Sequence, residues 1–204
     1  RKHDGIYQTE YIKSGDKTIQ VILLDVRTFR NNLLLYDTSV KTKLPRENYF
    51  YTPDYIPHVS TDSTLLGAEQ WQWLEAELAK PADLRLICSG SQFSIEYNGY
   101  EAWTNFPHEQ KRMLELIKKT KANGVMFLTG DVHYAEISKL VVPGLYPLYD
   151  ITASGITSTW KFATPNDNRI DGPVMLNHFG LITVDWNKRD PEIVFQIVNV
   201  KGKT

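Results

Sequence analysis

The sequence predicts an α/β fold in which parallel β-α-β units give way to antiparallel strands. Three observations carry that reading. Between residues 19 and 129 short apolar runs alternate with amphipathic helical stretches, the order expected of crossover units in a largely parallel sheet. In the last quarter "YPLYDITAS", "FGLITVDW" and "EIVFQIVNV" read as strands with no helix between them. With 42% apolar residues in a chain of 204, there is material for one substantial core.

The opening stretch "RKHDGIYQTEYIKSGDKTIQVILLD" reads as a strand, a turn at "SGDK" and a second strand. It lacks a domain's usual first element, so the chain is expected to begin in mid-domain. Residues 19–24 form an apolar run broken only by Gln20, the pattern of a strand covered on both faces, which ends in "DVRTFR". Residues 31–63 show no sustained period and read as a long excursion over the surface or across a site mouth.

Trp71, Leu74 and Leu78 recur at helical spacing, predicting an amphipathic helix over 67–79 that ends at "KPAD". "LRLICSG" follows as a buried strand. Pro107 suits a first-turn position, and Met113, Leu114 and Ile117 make an apolar stripe running to Lys121, before Asn123 and Gly124 close the helix. "VMFLTGD" is the next strand. The final two strands are joined by the short charged turn "NKRDP", so an antiparallel section should pack onto the sheet or extend it.

Charge and cysteine content exclude several classes. A net charge of −1, from 23 basic and 24 acidic residues mixed along the chain, provides no footprint for nucleic acid or an anionic membrane. Cys88, the single cysteine, cannot form an internal disulfide and reads as a buried structural thiol. No apolar run approaches the length of a membrane span, and the first residues are charged rather than signal-like.

Ligands in such sheets bind at the carboxyl ends of the strands. There "VMFLTGDVH" stops at Gly130 and presents Asp131 and His133, whose side chains would leave the same face of an extended segment. A carboxylate and a neutral imidazole suit zinc, iron or manganese. The bland alternative has Asp131 capping a turn with His133 bonded to it. Arg27, beyond a central strand, could grip phosphate oxygens through its guanidinium fork; Arg30 is more simply a solvated or paired side chain. Trp103 and Asn105 could wall and donate into a ligand site, although core packing and helix-entry bonding compete with that role. Glu136 could orient the imidazole from behind, or be a surface carboxylate. A Ser-His-Asp arrangement of Ser154, His133 or His178, and Asp131 is disfavoured, because "TASGI" has no nucleophile-elbow pattern.

The stretch "GVMFLTGDVHYAEIS" resembles the C-terminal metal-binding motif of the PhoD-like alkaline phosphatases, a branch of the binuclear metallophosphatases. "VILLDVRTFRNNL", "LGAEQWQWLEAEL", "SGSQF", "EAWTNFPHEQKRMLELI", "YPLYDITASGITSTW" and "NHFGLITVDW" follow that family's order and spacing. The resemblance implies the C-terminal half of an αββα metallophosphatase sandwich, with residues 1–204 forming one portion of a single domain. It implies that Asp131 and His133 are metal ligands and catalytic residues of a centre holding calcium, iron, zinc or manganese. It further implies phosphate monoesters or diesters as substrates, attacked by a metal-activated water, and an extracytoplasmic location.

The family's N-terminal half supplies an Asp-rich strand end, a "GDN"-type turn and a "DDHD"-like segment, none of which occurs here. The remaining ligands are therefore expected from a missing N-terminal half or a partner chain. The competing expectation is a noncatalytic remnant or subunit that binds a ligand or stabilises a partner through the Tyr-rich residues 49–55.

Overall fold

In the computed structural model, which describes residues 4–37, 54–97 and 99–202, a seven-stranded mixed sheet organises the chain. Its strands are β1 (Gln8–Ser14), β2 (Lys17–Leu23), β5 (Leu84–Ser89), β6 (Val125–Thr129), β7 (Ala135–Leu140), β8 (Leu148–Ala153) and β9 (Arg169–Val174). They lie in the order β1-β2-β5-β6-β8-β7-β9. The central strands β2, β5, β6 and β8 are parallel, while on one side β1 pairs antiparallel with β2 and on the other β7 pairs antiparallel with both β8 and β9. This is the expected α/β class, but β8, expected in an antiparallel section with the last two strands, pairs parallel with β6 inside the sheet.

Two helices make the crossovers, α1 (Ala68–Leu78) and α2 (Pro107–Thr120). α1 buries Trp71, Leu74 and Leu78, as its spacing predicts. In α2 the buried apolar residues are Met113, Leu116 and Ile117, with Leu114 only partly covered. Lys121 itself takes the left-handed position that closes α2, and the Ala122 N–H returns to the Ile117 carbonyl. These helical side chains meet Ile22, Ile87, Phe127 and Leu148 from one face of the sheet in the main core.

The opposite face is covered differently. Strands β10 (His178–Asp185) and β11 (Glu192–Asn199) form a separate antiparallel hairpin. Its Val184, Ile193, Phe195 and Ile197 pack against Leu84, Met126 and Ile151, and Ile19, Leu86 and Leu128 around that cluster stay half-buried. The hairpin therefore packs onto the sheet rather than joining it.

The expectation that residues 19–24 are covered on both faces is corrected by this asymmetry. Along β2, Thr18, Gln20 and Ile22 are buried beneath the helices, whereas Ile19, Val21 and Leu23 are half-buried on the hairpin side. The polar interruption, Gln20, lies on the deeper face because its amide donates to the Glu77 carbonyl at the end of α1, 3.0 Å away. Of the 31–63 excursion, the described parts include a two-residue pairing of β3 (Leu34–Leu35) with β4 (Tyr55–Ile56). Most of the Tyr-rich 49–55 stretch lies outside the described residues.

Candidate functional site

Four segments meet at the carboxyl edge of the parallel strands. After β2, Asp25 is buried and turns the chain: Oδ1 accepts the Arg27 and Thr28 N–H groups, both at 2.9 Å, and Oδ2 accepts the Ile6 N–H at 3.0 Å. Gln70 of α1 clamps the same residue, accepting its N–H and donating to its carbonyl. Burial works to raise the Asp25 pKa, but the hydrogen bonds from Thr28, Arg27 and Ile6 prevail and hold it below the ordinary value. Asp25 is thus a fixed, ionised turn residue that aims the two arginines; neither guanidinium is its partner.

Arg27 Nη1 lies 2.5 Å from Glu101 Oε1 and Nη2 lies 3.4 Å from Asp131 Oδ1. Arg30 Nη1 reaches the same Glu101 oxygen at 2.6 Å. Two guanidinium groups and two carboxylates therefore form one chain of ion pairs linking the ends of β2 and β6 to the segment before α2. Desolvation raises the pKa of Asp131 and Glu101 adds to the rise, while Arg27, His133 and Arg30 act against it.

The expected extended geometry for Asp131 and His133 is not what the chain adopts. β6 ends at Thr129, and both residues sit in the left-handed region, with φ of 82° and 56°. Val132 and Tyr134 are buried on either side of His133, so alternation between inside and outside persists through a turn rather than a strand. The Ser154 hydroxyl accepts the His133 N–H at 3.0 Å, and the His133 carbonyl accepts the Trp160 N–H at 3.2 Å. The imidazole faces a set of aromatic rings, with the Trp160 ring centre 6.0 Å away and Tyr100, Tyr134 and Phe162 around that indole.

The remaining candidates take structural positions. Trp103 and Asn105, expected to line a ligand site, are fully buried. The Trp103 indole donates to Ser89 Oγ at 3.0 Å and meets Trp71 and Phe93 edge-on, while Asn105 Oδ1 accepts the Ala102 N–H at 2.7 Å. Glu136 does not orient the imidazole: its carboxylate is buried and accepts from Gln92 at 2.7 Å, Asn166 at 3.0 Å and the Arg169 guanidinium. The serine-hydrolase geometry is absent as well, since Ser154 bonds the main chain of His133. Both nitrogens of His178 are taken by backbone, the Leu176 carbonyl at 2.7 Å and the Gly155 N–H at 3.1 Å.

As donors, a carboxylate and an imidazole suit a divalent or trivalent cation. They are too few to hold one unaided, and among the described residues no group of three or more His, Cys, Asp or Glu side chains could hold a metal ion. Sequence reasoning overlooked Glu101, whose signal was an acid in "GYEAW" two residues before a buried Trp. It also overlooked the half-buried Trp160 beside His133.

A mixed sheet with helices on one face, carrying an acid, an imidazole and arginines at its carboxyl edge, defines an α/β chain of metallophosphatase-like architecture. A family model described as PhoD-like phosphatase matches residues 4–166. The chain belongs to the PhoD-like phosphatase family. Alkaline phosphatase D of Bacillus subtilis (strain 168) is 32% identical over 88 residues, covering 39% of this chain and 15% of that protein. A solved structure of PhoD superposes with a TM-score of 0.54 at 18% identity, covering 96% of this chain and 44% of PhoD. GAP50, the anchor in the inner membrane complex of Plasmodium, gives a TM-score of 0.53 at 14% identity, covering 97% of this chain and 51% of GAP50. The chain thus spans about half or less of the proteins it matches, and these two structures support the shared fold. Among the described residues no helix is long and apolar enough to cross a membrane.

Proposed function

We propose that this chain is the portion of a phosphatase that contributes Asp131, His133 and Arg27 to the hydrolysis of phosphate monoesters or diesters, with further metal ligands supplied from outside these residues. The observation that carries the reading is the placement of Asp131 beside Arg27, 3.4 Å apart, on a strained turn shared with His133. Asp131 and His133 would hold part of a metal centre of calcium, iron, zinc or manganese. When bound, such cations neutralise phosphate oxygens and supply a hydroxide near neutral pH.

The chain's own residues then have distinct tasks. Arg27 presents a planar fork of donors suited to two phosphate oxygens. Ser154 and the buried Val132 and Tyr134 keep Asp131 and His133 in place. An extracytoplasmic setting belongs to the same reading and rests on family membership.

His133→Ala tests the assignment in the longest available form of the protein. Elemental analysis should show loss of bound metal together with loss of p-nitrophenyl phosphate turnover. Unchanged metal stoichiometry and turnover would remove His133 from the site.

A second reading, a noncatalytic subunit that binds a ligand or stabilises a partner, is favoured by the lack of a third metal donor among the described residues. Assaying the purified chain with added divalent metal, alone and with any copurifying chain, separates the two. Turnover by the chain alone excludes the noncatalytic reading.

A further inference from the structure

We propose that Glu101 is a positioning residue that pre-orders Arg27 and Arg30 for an oxyanion, a proposal that rests on the phosphate-binding role given to Arg27. Both guanidinium groups converge on one oxygen, Glu101 Oε1, at 2.5 and 2.6 Å. The three side chains are unequally exposed. Glu101 and Arg30 are mostly covered, at 16% and 19%, while Arg27 is 53% exposed. Arg30 and Glu101 thus form the fixed base of the cluster, and Arg27 is the group that reaches outward. Since one Nη of Arg27 is committed to Glu101 and the other to Asp131, its plane is set before any ligand arrives.

Glu101 is itself mounted rigidly. The next residue, Ala102, has its N–H held by Asn105 Oδ1 at 2.7 Å, and the Trp103 N–H donates to the Gln92 carbonyl at 3.0 Å. The Trp103 indole is locked in the core by Ser89 and two aromatic neighbours. The two residues that the sequence offered as ligand contacts therefore serve the site from beneath, by fixing the acid that fixes the arginines. A free arginine loses rotamer freedom when it closes on an anion, a cost that a pre-ordered one avoids.

The test uses the 204-residue chain and inorganic phosphate as the probe, with affinity measured by 31P NMR titration. Glu101→Ala should weaken phosphate binding by about threefold to tenfold at unchanged secondary structure, as the avoided ordering cost implies. Glu101→Gln, which keeps the shape and an acceptor, should restore part of the loss, and Arg30→Met should weaken binding although Arg30 is the covered partner. Unchanged affinity in Glu101→Ala would make the residue merely structural, and tighter binding would make it a competitor of the anion; either overturns the proposal.

Arg27→Met separates this proposal from the reading beneath it. If that variant binds phosphate like the wild type, or if the wild type does not bind, the phosphate role of Arg27 fails whatever Glu101 does. The Arg27 Nη–H NMR signals decide the positioning claim independently. They should be resolved in the wild type, where both Nη groups are engaged, and averaged in Glu101→Ala, and averaged Arg27 Nη–H signals in the wild type overturn it.

Discussion

Asp150 allows a test in which the structure fixes both sign and size. The residue lies at the centre of β8, with no exposed surface. Oδ2 accepts the Phe93 and Ser94 N–H groups, each at 2.8 Å, and Oδ1 accepts the Thr129 hydroxyl at 2.5 Å. Burial nevertheless outweighs these bonds and, with the nearby Glu136 carboxylate adding to it, pushes the pKa from 3.8 up to about 6. A carboxyl raised in the folded state stabilises the fold while it is protonated. That contribution is complete below the unfolded value near 4 and is lost as pH rises through about 6. Integrated from about pH 4.5 to about pH 7.5, a shift of this size removes about 2 kcal/mol.

Asp150→Asn removes the titration and keeps the shape. The amide oxygen can still accept from Phe93 and Ser94. Its NH2 can donate to Thr129, whose hydroxyl then turns to donate to Thr152 Oγ1, 2.9 Å away. Urea unfolding of wild type and variant at stepped pH measures the difference directly, and subtraction cancels groups that titrate alike in both. The stability of Asp150→Asn relative to wild type should rise by about 2 kcal/mol across that interval. A difference that does not change with pH would refute the reasoning.

Three further outcomes follow from buried contacts. Glu109→Ala should cost about 3 kcal/mol or more in urea unfolding, because it strands the Trp71 indole N–H and the Leu65 and Leu66 N–H groups that this buried carboxylate accepts. Arg169→Met should cost about 3–5 kcal/mol by leaving the Glu136 carboxylate buried without its cation, and a cost below about 1 kcal/mol would show that Gln92 and Asn166 suffice. Gly155→Ala should destabilise by about 1–3 kcal/mol and disturb the His178 NMR signals, since its Cβ would stand 2.4 Å from His178 Cε1 and 3.1 Å from the His133 carbonyl. Wild-type stability with unshifted His178 signals would show that the ring can give way.

The elements that the sequence revealed are those whose buried face is mainly apolar. Trp71, Leu74 and Leu78 announce α1, and "VMFL" announces β6, because their apolar residues keep the period even though Gln70, Glu77 and Thr129 are buried with them. β7 and β9 escaped notice for the converse reason. The buried positions of β7 include Glu136 and Ser138, satisfied by Asn166, Gln92 and Arg169 from distant segments, so no apolar period is written along the strand. Gln20 misled in the same way: its inward direction depends on the Glu77 carbonyl 57 residues later. At the site, Asp131, His133 and Arg27 were legible as chemistry at a strand end. Glu101 was not, because its role arises only where β2, β6 and the segment before α2 converge.

The backbone at Asp131 and His133 shows why the pair was legible while its geometry was not. A left-handed conformation costs a residue other than glycine about 1–3 kcal/mol, and here two such residues are separated by a single position. Local preference would not choose this turn. Its anchors lie elsewhere: Val132 and Tyr134 are sunk into the core, each contributing about 1.5–3 kcal/mol of burial, and Ser154 and Trp160 bind the main chain of His133 on both sides. The two donors are thus held at the sheet edge by the residues between and beyond them. A relaxed strand through the same sequence would place one face inward and the other outward equally well, but it would continue past the edge. The turn stops the chain there, with a carboxylate beside Arg27 and an imidazole beside Trp160, and this halt is what makes the edge a site rather than the end of a strand.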